Sequence, residues 1–158
     1  MKTTYSKLDV ALLIARVTVS IVMFAHGAQK LLGWFGGYGI EGTMQFFTET
    51  IGLPYILGFA IILCESIGML FLAAGIFTRL LSISVIIIMM GAIITVHLSY
   101  GFFMNWEGQL GGEGFELHIL MIGLALIPSL FGGGNLSLQP WIDRKIRNKQ
   151  INDGMYFI

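Results

Sequence analysis

Four long apolar segments dominate the chain, and polar or glycine-rich stretches separate them. They run from about Leu8 to Leu32, from Pro54 to Ile76, from Arg79 to Tyr100 and from Phe115 to Phe131. A helix needs about 20 apolar residues to cross a bilayer core, a length that the first three segments reach and the fourth does not. Because the backbone in lipid must satisfy its own hydrogen bonds, all four segments are predicted to be helices.

Two shorter amphipathic stretches complete the pattern. From Gly42 to Ile51, apolar residues recur at helical spacing, which predicts a short helix at the membrane surface. From Leu136 to Ile146, aromatic and aliphatic residues alternate with basic ones, which is typical of an anchor on an anionic leaflet. The sequence therefore predicts an all-α integral membrane four-helix bundle with a short outer interfacial helix and a C-terminal amphipathic segment. Residues 1–138 form the membrane domain and residues 139–158 a basic cytoplasmic tail.

Composition supports a membrane protein. Of the 158 residues, 56% are hydrophobic and 11% are charged, whereas soluble domains carry about 25% charged residues. Nine basic residues balance nine acidic ones, so no basic face suggests nucleic acid. The one cysteine, Cys64, permits no intrachain disulfide and no C-x-x-C redox pair.

The basic residues predict an orientation. Lys2, Lys7, Arg79 and the cluster from Arg144 to Lys149 all fall on one side of a four-helix arrangement. The positive-inside rule makes that side cytoplasmic, so we expect both termini in the cytoplasm of a bacterial or archaeal cell, with the chain in its inner (plasma) membrane. The outer loops are then residues 33–53 and 101–114, both rich in glycine and aromatic residues.

Polar residues inside the apolar segments are the candidate functional residues. A charge at the centre of a membrane helix costs about 2.5 to 3.5 kcal/mol and normally faces other helices or a cavity. We expect Arg16 and Glu65 to pair near the midplane, either as a site or only as a link between two helices. His26, His97 and Glu116 lie nearer the outer side.

These residues predict one pocket, open outward or sideways into the outer leaflet. His26, His97 and Glu116 lie at its mouth, Arg16 and Glu65 at its floor, and residues 33–53 form its lid. His118 is two residues from Glu116 on a different helix face, so at most one of the two is expected to face inward with His97. Lys30 and Trp34 fit either the pocket or a role as interfacial anchors, and Glu116 also fits a first-turn acid that complements the helix dipole.

Several motifs resemble the DoxX family of small membrane proteins. They are H-G-x-x-K-L-x-G-W-F-G-G-x-G from His26, G-T-x-x-F-F from Gly42, E-x-x-G-x-L-x-L-x-x-G-x-x-T-R from Glu65, H-x-x-x-G-F-F from His97, F-E-x-x-x-L from Phe115 and G-G-G-x-L-S-L from Gly132. The resemblance covers about residues 8–138. It implies a four-helix membrane protein of a class often labelled oxidoreductases, named after a subunit of a thiosulfate:quinone oxidoreductase. The family's recurring polar residues map to Arg16, His26, Lys30, Glu65, His97 and Glu116.

The residues and the resemblance together suggest a membrane oxidoreductase, or a subunit of one, acting on quinones. The expected catalytic residues are Glu65, His97 and Glu116, since histidine can donate hydrogen bonds to a quinone carbonyl and a carboxylate can relay protons. The expected substrate-binding residues are Arg16, His26, Lys30 and Trp34. Arg16 would stabilise a reduced, anionic head group. The sequence has no flavin, nucleotide or iron–sulfur motif, so a quinone or a partner redox subunit would carry the electrons.

Other functions remain open, including whether the chain is an enzyme. The same polar cavity suits a small-molecule transporter or binding protein, although four helices without a repeat are few for a carrier unless it forms a homo-oligomer. A non-catalytic membrane assembly subunit is a further alternative. His26, His97, His118 and Glu116 offer ligands for zinc or haem, but no ligand spacing supports a metal site.

Overall fold

In a computed structural model, which describes residues 5–152, the chain is all-helical. Lys2 and residues 153–158 of the predicted tail lie outside the described part. The helices are α1 (Lys7–Leu32), α2 (Gly39–Gln45), α3 (Tyr55–Ala74), α4 (Thr78–Tyr100), α5 (Glu116–Phe131) and α6 (Gln139–Asn152). One turn of wider π geometry follows α2 at Phe46–Thr50, and two more interrupt α3 at Cys64–Gly68 and α4 at Ile93–His97.

The all-helical membrane architecture is confirmed. By length and composition, α1, α3 and α4 are each able to cross a bilayer. The apolar helix α5 is shorter, at 16 residues, and packs against α4 and α1. The four apolar segments begin and end within two residues of the predicted bounds. The C-terminal helix α6 runs beyond the predicted end at Ile146. Within it, the Lys145 ammonium lies 5.2 Å from the centre of the Trp141 ring.

Local sequence signals explain the ends of the long helices. Ser6 and Asp9 form a reciprocal capping box at the start of α1, which satisfies free backbone N–H groups there. Gly33 ends α1 and Gly75 ends α3, both with positive φ values near 70°. Glycine adopts this left-handed conformation without the steric cost that a side chain adds.

A methionine-rich core joins the four apolar helices. It lies across the middle of the bundle, and its members are Val19, Met23, Met69, Leu72, Val85, Met89, Met121 and Ala125. Above this core is the end of the bundle that carries residues 33–54 and 101–115, here called the loop end. Below it is the turn end, which holds the turn at residues 75–77 and the segment 132–138.

Arg16 fastens the turn end. Its side chain is 2% exposed, and its guanidinium donates to the carbonyl oxygens of Gly133, at 2.7 Å, and of Leu136. Asp9 holds the same segment by accepting from the Asn135 backbone N–H at 2.7 Å. The predicted Arg16–Glu65 pair is therefore wrong, because the guanidinium binds backbone carbonyls of the segment that follows α5 and Glu65 pairs with Lys30.

The contact between α1 and α3 explains this error. Gly27 is buried, and a side chain there would overlap the backbone carbonyl of Glu65. Gly27 lies eleven residues after Arg16, so Glu65 sits about 16 Å further along α1 than the arginine. From this contact, α1 has five more residues to its end at Leu32, whereas α3 has ten to its start at Tyr55. Arg16 and Glu65, both expected near the midplane, therefore lie at different levels of the bundle.

Replacing Gly27 tests the close contact between α1 and α3. We expect Gly27→Ala to destabilise the protein by about 1–3 kcal/mol, since overpacking forces the two backbones apart. The measurement is thermal or denaturant unfolding in detergent. The matched control is Gly123→Ala on α5, where an added Cβ meets no atom within 4 Å. Equal stability of the two variants would contradict the contact.

The predicted orientation and the crossing of α5 can be tested together by cysteine labelling. In a Cys64→Ser background, we expect Gln109→Cys to react with an impermeant maleimide from outside the cell. Asn148→Cys should react only after permeabilisation. Both positions are exposed, and α5 separates them. Labelling of both from the same side would show that α5 does not cross the membrane.

Candidate functional site

A cavity of about 630 Å³ lies among α1, α3, α4 and α5 near the loop end. Its walls are mostly aliphatic, and Met23, Met89 and Met121 of the core form its floor. The histidine, lysine and carboxylate side chains that the helices contribute are His26, Lys30, Glu65, His97 and His118. The cavity thus combines an apolar body with a small number of polar groups, as small-molecule sites usually do.

Lys30 and Glu65 form an ion pair in the wall of the cavity. The Glu65 side chain is 3% exposed and that of Lys30 is 27% exposed. Lys30 lies about one helical turn beyond Gly27 on α1, so the close contact of Gly27 with Glu65 brings the carboxylate within reach of the ammonium. The carboxylate inside the apolar bundle is therefore neutralised by a lysine that keeps partial access to the cavity.

His97 of α4 and His118 of α5 lie against each other in the wall of the cavity. Their ring centres are 4.1 Å apart, and the ring planes meet at 45°. Nδ1 of His97 is 2.8 Å from the carbonyl oxygen of Glu113. A carbonyl only accepts, so Nδ1 carries the proton and Nε2 of a neutral His97 is an acceptor. Nδ1 of His118 is buried without a hydrogen-bond partner.

Each of the three π turns contributes side chains to the cavity. Phe46 and Phe47 come from the turn after α2, Glu65 from the turn in α3, and His97 from the turn in α4. A π turn interrupts the regular helical hydrogen bonding and is frequent at functional sites. The convergence of three such turns on one cavity marks it as the candidate functional site.

The two loops cover the cavity at the loop end. Phe47 packs on the half of α3 nearest the loop end, where a Cβ at Gly58 would meet the ring at 3.1 Å. Met104 from the second loop completes the cover. The predicted lid of residues 33–53 therefore contributes only its second half, because Trp34 does not line the cavity.

The structure separates the sequence-predicted site residues into two groups. His26, Lys30, Glu65 and His97 line the cavity. The other three do not, and each has a different setting: Arg16 lies below the methionine floor, Trp34 is 53% exposed beside Phe35, and Glu116, at the start of α5, binds the second loop. The prediction of a floor made by Arg16 and Glu65, with Glu116 at the mouth, is therefore wrong.

Glu116 organises the second loop. Its Oε1 accepts from the backbone N–H of Met104 at 3.0 Å and from Nε1 of Trp106 at 3.3 Å. The carboxylate that was expected at the mouth of the pocket instead fixes the chain that covers it. His118 instead faces inward beside His97. This agrees with the expectation that at most one of Glu116 and His118 does so.

His118 was missed as a site residue because the sequence does not fix the rotation of α5. Residues 116 and 118 differ by about 200° around a helix, so either could face α4. The available signal was the spacing of Met121 and Ala125, the core residues of α5. His118 precedes them by three and seven residues, which places all three on one helix face.

The site offers hydrogen-bonding and proton-exchanging groups. Among residues 5–152, no group of three or more His, Cys, Asp or Glu side chains is arranged to hold a metal ion. The cavity has room for a molecule whose polar part reaches the two histidines and Glu65 and whose remainder is apolar.

A pair of double-mutant cycles tests the ion pair. Breaking a buried pair from one side costs about 3–5 kcal/mol, so Lys30→Ala and Glu65→Ala should each destabilise strongly, and the double variant should recover part of the loss. Arg16→Ala with Glu65→Ala should be additive within about 0.5 kcal/mol, because the two residues share no partner. Unfolding in detergent measures both cycles. Coupling of Glu65 to Arg16 but not to Lys30 would contradict the assignment.

The sequence is similar to a known protein family and to a named bacterial protein. The sequence profile of the DoxX family, described as DoxX, matches residues 11–98. This range includes four of the five histidine, lysine and carboxylate side chains that the helices contribute to the cavity. The chain is also similar to the Bacillus subtilis (strain 168) protein named "Putative oxidoreductase CatD". The two are 31% identical over 144 residues, which cover 91% of this chain and 96% of that protein. No solved structure matches the chain. With its helical membrane architecture and these sequence matches, the chain belongs to the DoxX family.

Proposed function

We propose that the protein is a membrane oxidoreductase, or the quinone-binding subunit of one, and that the cavity binds the quinone head group. The observation that carries the proposal is the set of His26, Lys30, Glu65, His97 and His118, which the helices contribute to a mostly apolar cavity. Ionisable groups inside a membrane protein are costly and normally mark a substrate or proton pathway. The oxidoreductase name of the similar Bacillus subtilis protein agrees with this class of reaction.

The dimensions of the cavity suit a quinone. Small-molecule sites measure about 300–1,000 Å³, and this cavity measures about 630 Å³. A quinone ring is flat, with two carbonyl oxygens on opposite edges. The His97–His118 pair and the Lys30–Glu65 pair line the same cavity, so we propose that they bind opposite ends of the ring.

The side chains supply the proton chemistry. Reduction of a quinone to a quinol consumes two electrons and two protons, and oxidation of a quinol releases them. Nε2 of a neutral His97 can accept a proton from a quinol hydroxyl, because Nδ1 is held by the Glu113 carbonyl. Glu65 is the second proton acceptor, and Lys30 donates a hydrogen bond to the head group.

The electrons pass between the quinone and a separate redox protein. We propose that such a partner docks at the loop end, where the two loops cover the cavity and where Phe35, Tyr38 and Trp106 are more than 70% exposed. With both termini in the cytoplasm, this end faces the outside of the plasma membrane, and the reaction uses a donor or acceptor on that side.

Anaerobic titration of the purified protein with a naphthoquinone tests the proposal. We expect saturable binding, and we expect His97→Phe and Glu65→Gln each to weaken it about tenfold, the effect of losing one hydrogen bond to the ligand. Glu49→Gln is the matched control, because Glu49 is exposed and bonds to Gln45 outside the cavity. Its binding should equal that of the wild type.

Two results would overturn the proposal. Absence of saturable quinone binding by the wild-type protein would contradict the proposed function. Equal binding by wild type and His97→Phe would remove the histidine wall from the site. Circular dichroism and size-exclusion profiles of every variant show whether a loss of binding is instead a loss of folding.

A further inference from the structure

The cavity has a side opening between α3 and α4. These helices pack against each other mainly in the halves nearest the turn end, where a Cβ at Gly68 would meet Leu81 at 3.2 Å. Towards the loop end, α3 instead packs on the part of the first loop that covers the cavity, and α4 packs on α5. Residues on both sides of this gap line the cavity and are also exposed: Leu57 and Ala60 on α3, and Ile87, Gly91 and Thr95 on α4.

Gly91 lies at the centre of the opening. A Cβ at this position would meet no atom within 4 Å, so the space beside it is empty. Ile87, Gly91 and Thr95 are spaced by four residues and form one stripe along α4. Gly91 is nine residues from the end of α4, about 14 Å along the helix. In a bilayer, that depth lies within the hydrocarbon layer.

The walls of the opening are compatible with hydrocarbon. The Thr95 hydroxyl donates to the Gly91 carbonyl at 2.8 Å, and the Ser84 hydroxyl donates to the Leu80 carbonyl at 3.0 Å. Both hydroxyl hydrogens are therefore used within α4. The remaining surface of the gap is aliphatic, with Leu57 and Ile87 at its edges.

Two other sides of the cavity are closed by packing in the described part of the chain. The contact of Gly27 with Glu65 closes the seam between α1 and α3. The methionine floor closes the cavity towards the turn end. Trp34 and Phe102, exposed aromatic residues of the two loops, do not line the cavity.

We propose that the gap between α3 and α4 is a portal for the tail of the ligand. The substrate of the site is then a quinone with a long isoprenoid or alkyl chain, whose head group lies between the histidine pair and the ion pair. Its tail passes beside Gly91 into the surrounding hydrocarbon. This inference rests on the proposed function and adds the substrate class and the route by which it reaches the site.

Two naphthoquinones separate head-group binding from tail binding. One carries a four-unit isoprenoid tail, and in the other a methyl group replaces the tail. Both are titrated into wild type, Gly91→Phe and Gly123→Phe. The control position, Gly123 on α5, is also exposed and has open space beside it, but it does not line the cavity.

We expect Gly91→Phe to weaken binding of the tailed quinone about tenfold or more, while binding of the tailless quinone stays within about twofold of wild type. Gly123→Phe should bind both as the wild type does. The phenylalanine side chain obstructs the gap without touching the polar groups that hold the head. Preferential loss of the tailed ligand in Gly91→Phe alone is the signature of the portal.

The other outcomes are distinct. If the wild type binds neither quinone, the proposed function is overturned. If it binds both and Gly91→Phe weakens neither, or weakens both equally, the portal is overturned and head-group binding stands. If Gly91→Phe instead changes the oligomeric state measured by native mass spectrometry, the gap is a contact between copies of the chain, and the portal is likewise overturned.

Discussion

A carboxylate buried among apolar helices requires a positive partner, and the pairing of Glu65 with Lys30 is the constraint on which the site depends. It requires α1 and α3 to approach closely, which Gly27 permits because it has no side chain. Glu65 also lies in a π turn, where the regular helix widens and side chains are redirected. A bulky residue at position 27 would separate the helices and leave the carboxylate without its partner.

Two polar systems lie at opposite ends of the bundle, with the methionine-rich core between them. At the turn end, Arg16 donates to two backbone carbonyls of the segment that follows α5, and Asp9 accepts from the backbone N–H of Asn135 in the same segment. At the loop end, the histidines and the ion pair border open space. Access to the cavity thus distinguishes a candidate functional group from a structural charge. By this criterion Arg16 and Glu116 stabilise the fold, whereas His97 and His118 are available to a ligand.

The cavity is asymmetric in a way that fits a membrane-dissolved substrate. Loops cover it at the loop end, methionines form its floor, and the proposed portal between α3 and α4 lies between these two ends. A ligand that enters by this route keeps its apolar part in lipid while its head exchanges water for the polar wall. The hydroxyl groups along α4 bond to their own helix, so the route exposes few polar groups to lipid.

The sequence by itself determined the helices, because hydrophobic length and glycine or polar breaks are local properties. It also identified four cavity residues, His26, Lys30, Glu65 and His97, since polar groups stand out in apolar segments. It could not decide which charges meet, because pairing depends on the axial offset of α1 and α3. Nor could it choose His118 over Glu116, because that choice depends on the rotation of α5. Only tertiary packing sets these two quantities.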